Sequence, residues 1–287
     1  MGVALGLAAA LCWGLADYFA AVAGRSIGAP RVVLGFHVVA TVLLLAAVLA
    51  SGALASLTWH DAPLFVLLGV VGWLSYLTFY GALEIGPISV LSPIVSGYAV
   101  VTVALAVVIG AERPSLGVVA AIVVVAVGVT LAGADLRQVR AAAHGHLRLR
   151  GVVLALLAMV LLGGFVYGVS YEHQRLGWLA PIFLARAFAA VLLVAWAARR
   201  RDLRGWGASR TVLMIIVLLA VLDTGGYVFF NLGVGSASTA VVATASAPYA
   251  VVPIIMGIAL FSERPTRSQW QGISLVIGGL LLLGLAQ

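Results

Sequence analysis

The chain contains no lysine: all 16 of its basic residues are arginine. Only 9% of its 287 residues are charged, against roughly a quarter in an average soluble domain. So few charges cannot solvate the surface of a soluble protein of this size, and the composition therefore indicates an integral membrane protein. Cysteine is almost missing. The single thiol, Cys12, has no internal disulfide partner and lies in an apolar run, where it reads as a small packing residue. Several chemical signatures are missing too. There is no GxxxxGK[ST] phosphate loop for an ATP motor, and no HExxH or GxSxG motif for hydrolysis. His144 and His146 stand in an arginine-rich loop without cysteines or acids at ligand spacing. No metal and no cofactor is expected. The formal net charge of +7 is not a nucleic-acid signal, because the arginines sit in short loops between apolar runs. There they orient helices and meet anionic headgroups. The expected partners are a lipid bilayer and a small-molecule solute, with no nucleic acid.

What the sequence has in abundance is hydrophobic residues, 64% of the total. A span needs about 20 mostly apolar residues to cross the hydrocarbon layer. Ten such runs can be read, at about 2–23, 32–51, 62–83, 88–109, 116–134, 151–172, 179–198, 211–232, 238–260 and 268–286. Residues 1–23 lack a basic leading region and read as a first span rather than a cleaved signal. Two connections are long, 135–150 and 198–210, and the first of them divides the chain into halves, 1–134 and 151–287.

The halves match without a gap when one is shifted by 151 residues. "AERP" at 111–114 then falls on "SERP" at 262–265, and Ala29-Pro30 on Ala180-Pro181. Tyr76 falls on Tyr227, Phe79 on Phe230, Tyr98 on Tyr249 and Gly128 on Gly279. Matched alanines mean little between apolar segments, but matched Glu-Arg-Pro, Tyr and Ala-Pro in order mean more. Five spans per half is an odd number, so the second half runs through the bilayer in the opposite sense. Inverted repeats of this kind are an architecture of secondary transporters, with a central site near the midplane. The expected fold class is an all-α membrane protein of ten transmembrane helices, with two inverted five-helix repeats forming a basket around a central cavity.

The ten-span pattern, Trp13-Gly14 in the first span, "GALEIGPISVLSPI" at 81–94 and the duplicated "ERP" before a Gly-rich last span resemble the drug/metabolite transporter superfamily, EamA type. The resemblance covers essentially the whole chain. It implies a cell-membrane carrier that works by alternating access and exports small metabolites, and it does not identify the solute. It also implies termini on the cytoplasmic side. The arginines say the opposite: odd-numbered loops hold 13 and even-numbered loops 2, which places both termini outside by the positive-inside rule.

The polar residues inside the spans carry the functional expectation. Asp17, in "LCWGLADYFAAVAGR", is embedded in an oily run about 9 Å below the odd-loop surface. A carboxylate at that depth costs about 2.5–3.5 kcal/mol and normally faces a bundle interior or a wet cavity. Trp13 and Gly14 precede it by one turn. Asp223 lies near the centre of the eighth span, with Tyr227 and Phe230 on its face, Asn231 beside them, and the pair Gly225-Gly226 suited to close helix packing or, the favoured reading, to a bend. Each acid reads as a substrate contact, a proton carrier or a structural acid; the proton is a candidate coupling ion. Arg186 is seven residues inside its span, where it can bind a substrate carboxylate, pair with an acid or snorkel to headgroups. His37 reads as a packed histidine or a proton relay.

Trp73, Tyr76 and Tyr80 form one helical stripe in the third span. Ser89, Ser92 and Ser96 share a face of the fourth beside Pro93, and Tyr167, Ser170, Tyr171 and Gln174 share a face of the sixth. These faces are read as cavity lining or as packing. Glu112 and Glu263 in the "ERP" loops read as topology and packing elements, and Glu84 and Glu172 as interfacial. The rivals are a proton-coupled multidrug or quaternary-cation exporter, which the aromatics and two acids suit, and a channel or intramembrane enzyme. No nucleophile–base pair in the spans supports the enzyme.

Overall fold

The computed structural model describes residues 1–55, 57–86, 88–133, 146–199, 209–252, 255–256 and 266–286. The linker core 135–145, the second "ERP" with Glu263, and the side chains of Ser89 and Gln174 lie outside that description. The described chain is all-helical: α1 (Gly2–Ile27), α2 (Ala29–Ser51), α3 (Ala62–Ile85), α4 (Ile88–Ser96), α5 (Tyr98–Val108), α6 (Leu116–Gly133), α7 (His146–Tyr171), α8 (His173–Leu176), α9 (Leu179–Arg199), α10 (Arg210–Val234), α11 (Thr239–Ser246) and α12 (Arg267–Leu285). A short 3-10 turn follows α11 at Ala247–Ala250.

Among the described residues, seven segments are long and apolar enough to cross a membrane. They correspond to the expected spans one to four and six to eight. The fifth is met by a shorter apolar helix, Leu116–Leu131. The ninth is described as far as α11 and its 3-10 turn, and the tenth coincides with α12.

The first span is longer than its hydropathy suggests, because α1 runs on through Arg25 to Ile27. The chain then reverses at one residue, Gly28, whose φ of +83° is open to glycine and strained for other residues. Pro30 sits in the first turn of α2, where its missing N–H costs nothing. The Glu84 carboxylate accepts the Ala29 N–H at 2.9 Å, tying the start of α2 to the end of α3. Glu112 does the same at longer range. Its two oxygens accept the N–H groups of Thr239 (2.9 Å) and Ala240 (3.1 Å), and the Ser238 hydroxyl accepts that of Val241. The free donors at the start of α11 are thereby satisfied by a negative group at the positive end of a helix.

The main helix pairs are α6 on α12, α1 on α10 and α3 on α7. The α6–α12 pair is antiparallel and close. A Cβ at Gly128 would lie 2.7 Å from the Val276 nitrogen, and one at Gly279 would lie 3.0 Å from the Val125 nitrogen. Small residues allow such approach where lipid offers no hydrophobic drive between helices.

At the even-loop end, Arg175 bridges Asp61 at 2.5 Å and Glu172 at 2.7 Å, so Glu172 is part of a rim network as well as interfacial. Beside it, burial pushes the half-buried His173 imidazole below its ordinary value. The folded ring therefore stays neutral where the unfolded ring, with a value of about 6.5, takes up a proton. Folding stability should thus fall as pH drops through that unfolded value and level off below the folded one. The detergent melting temperature should decline over this window, and less steeply in His173→Gln.

Candidate functional site

Helix α1 places Asp17 ten residues before its last residue, Ile27, about 15 Å along the axis from the helix end. That is deeper than the 9 Å the shorter expected span implied. Asp223 is near the middle of α10. Neither acid faces lipid: Asp17 is 5% and Asp223 3% exposed.

Asp223 is the hub. Its Oδ2 pairs with Arg186 Nη2 from α9. Its Oδ1 accepts the Tyr76 hydroxyl from α3 at 2.9 Å, and its backbone carbonyl accepts the Trp13 indole N–H from α1 at 3.2 Å. The Tyr76 hydroxyl has one proton and gives it to Asp223. Its 3.3 Å contact with the Tyr227 hydroxyl therefore runs with Tyr227 as donor. Arg186 is 1% exposed, so it does not snorkel to the headgroups. Its guanidinium carbon lies 5.2–5.7 Å from the ring centres of Phe36, Tyr76 and Tyr227, within cation–π range. Among the described residues, its Nε and Nη1 have no hydrogen-bond partner. His37 is packed: Nδ1 donates to the Val33 carbonyl at 2.8 Å, and its ring meets Phe36 and the edge of Tyr76.

Asp17 is different. Among the described residues, its Oδ2 has no hydrogen-bond partner, and neither does the hydroxyl of nearby Ser92. It opens onto a cavity whose polar and aromatic wall is Trp13, Tyr76, Tyr98, Asp223, Tyr227 and Tyr249. Phe79, Leu162 and Val166 complete the wall. The space is about 20 Å³, room for a water and not for a solute.

Both interrupted helices deliver a tyrosine here. Tyr98 follows the break between α4 and α5, and Tyr249 sits in the 3-10 turn after α11. Their ring centres are 5.9 Å apart. The Tyr98 hydroxyl bonds the Ser246 hydroxyl at 2.7 Å, and the Tyr249 hydroxyl reaches the Ser92 carbonyl at 3.4 Å.

The structure therefore brings together Trp13, Asp17, Tyr76, Asp223, Tyr227 and, behind them, Arg186, with Ser92 beside Asp17. Other candidates lie elsewhere. Tyr80 packs on Tyr76 one layer out, with ring centres 5.6 Å apart. Trp73 is half-buried in packing, and the Ser96 hydroxyl donates back to the Pro93 carbonyl at 2.7 Å. Tyr167 and Tyr171 stack on each other away from the cavity, with Tyr171 57% exposed. Asn231 is buried one turn beyond Tyr227 with an unpartnered amide. Tyr98 and Tyr249 were not among the candidates. Their signal was their match across the 151-residue shift.

The sequence profile of the EamA-like transporter family matches residues 1–134 and 149–285. No curated protein matches the chain. A solved structure described only as "Crystal structure of protein" superposes with a TM-score of 0.74 at 15% identity, over 99% of this chain and 96% of that one. At that identity the likeness is one of fold.

Proposed function

The chain belongs to the EamA-like transporter family, and from that premise we propose that it is a secondary active carrier moving a small metabolite, an amino acid or related compound, outward by alternating access between two inverted five-helix halves. Members of that family are transporters rather than enzymes, so a multi-pass membrane protein with a small-molecule solute is the frame. The division is 1–134 and 151–287, joined by the linker 135–150, and the membrane is the cell membrane.

The observation that carries the reading is at the cavity. Residues 151 apart meet each other there: Tyr76 contacts Tyr227, and Tyr98 contacts Tyr249. Gly128 and Gly279 repeat this on α6 and α12, each lying against the residue equivalent to its partner's neighbour. Contacts of this reciprocal kind are what a two-fold axis between halves produces. An axis through the cavity suits rocking of one half against the other, which opens the same chamber first to one side and then to the other.

The test is counterflow in proteoliposomes loaded with single solutes: amino acids, amines, sugars and nucleosides. A carrier gives saturable exchange for one class. Non-saturating conductance would overturn the reading in favour of a channel.

A further inference from the structure

Counting buried charge around the cavity leaves a remainder. Two carboxylates, Asp17 and Asp223, share the site with one guanidinium, Arg186. Arg186 is already committed to Asp223, and it stands behind the cavity wall rather than on it. His37 on α2 brings no positive charge, because its Nδ1 proton is held by the Val33 carbonyl and its ring is packed between Phe36 and Tyr76. The other titratable groups around Asp17 are phenols: Tyr76 on α3, Tyr98 on α5, Tyr227 on α10 and Tyr249 after α11 on the cavity wall, with Tyr80 on α3 one layer out. From α10 it faces Asp223, and from α4 only the Ser92 hydroxyl. Among the described residues, nothing balances Asp17.

We propose that Asp17 is the seat of one exchangeable positive charge, holding a proton when the cavity is empty and the ammonium of an amine-bearing solute when it is filled. This rests on the transporter reading above and names its solute class. An unpaired carboxylate away from water either takes up a proton or acquires a counter-ion. The cavity supplies what an ammonium needs besides the charge, since the aromatic side chains of Trp13, Tyr98, Tyr249 and Tyr227 line it. Among the described residues, the charged groups on the wall are both acidic, so a carboxylate on the solute is not required.

The stoichiometry also follows. Shifted by 151, Asp17 falls on Gly168, Asp223 on Gly72 and Arg186 on Gly35. The aromatic frame is duplicated but the charges are not, so one site exchanges one charge. The step balances as a protonated Asp17 plus a solute ammonium giving an Asp17 carboxylate–ammonium pair and one proton released to water.

The test uses the full chain in weakly buffered detergent, with phenethylammonium and 3-phenylpropionate as probes. Binding is read by tryptophan fluorescence and proton release by a pH dye. Phenethylammonium should bind and release one proton per molecule bound. Its apparent Kd should weaken by about tenfold for each pH unit of added acidity once Asp17 competes for the proton. 3-Phenylpropionate should neither bind nor release protons. Asp17→Asn should melt like wild type, release no proton and bind the amine at least tenfold more weakly, while Asp17→Glu restores proton release. Amine binding without proton release, unchanged release in Asp17→Asn, preference for the propionate, or no amine binding would each overturn the proposal. The wild-type proton count stands even if Asp17→Asn fails to fold. Failure of every solute in liposome counterflow would instead count against the transport reading, because the micelle measurement involves no transport.

Discussion

Arg186→Ala should be the most damaging single substitution in the chain, lowering stability by about 3–5 kcal/mol. Removing one partner of a buried ion pair leaves the other without compensation. Here that partner is Asp223, which would keep only the Tyr76 hydroxyl on its carboxylate. The guanidinium's contacts with Phe36, Tyr76 and Tyr227 go as well. Asp223→Asn should cost less. The stranded guanidinium keeps three aromatic faces, and an amide can still accept the Tyr76 proton. Pairing Arg186→Met with Asp223→Asn should recover much of the loss, because no buried charge is then left without its partner. Thermal melts of the purified variants in detergent give the order. An Arg186→Ala protein that melts like wild type would show that the pair does not hold the helices together.

The ion pair also shows how far sequence reading reaches. That Asp17 and Asp223 point inward was legible, because hydrocarbon tolerates few charges and lipid-facing carboxylates are costly. That Arg186 binds Asp223 was not. The two lie 37 residues apart on different helices, and depth alone left three fates open to the arginine. Helical periodicity gives the face of a residue but not its height. On α7 the cavity wall is Leu162 and Val166, while Tyr167 and Tyr171 continue toward the even-loop rim, where Tyr171 is exposed. The opposite error befell Tyr98 and Tyr249. No stripe marked them, and each enters the cavity because its helix is interrupted beside it. Glu112 carried a correct general reading as a packing element. Its role in capping α11 from a position 127 residues earlier has no local signal.

The glycine pair at 225–226 separates two explanations that sequence left together, close packing and a bend. The neighbours are not equivalent. A Cβ at Gly225 would meet only the Cys12 sulfur, at 3.8 Å, an ordinary contact. A Cβ at Gly226 would run into the Trp13 indole at its Nε1 edge, the group that donates to the Asp223 carbonyl. Gly226→Ala must therefore displace Trp13 from Tyr98, Tyr227 and Phe230, against which its ring packs at 4.9–6.0 Å. Overpacking of this kind costs about 1–3 kcal/mol, and it loosens the cavity wall at the same time. Gly225→Ala should instead be neutral or slightly stabilising, since alanine is the better helix former by about 1 kcal/mol. If bending at the pair is what transport needs, Gly225→Ala keeps its melting temperature and loses exchange rate in liposomes. If close packing is what matters, Gly225→Ala transports normally and Gly226→Ala alone loses both stability and exchange. The contact with Trp13 favours the packing outcome, because it gives one glycine of the two a steric reason to be there.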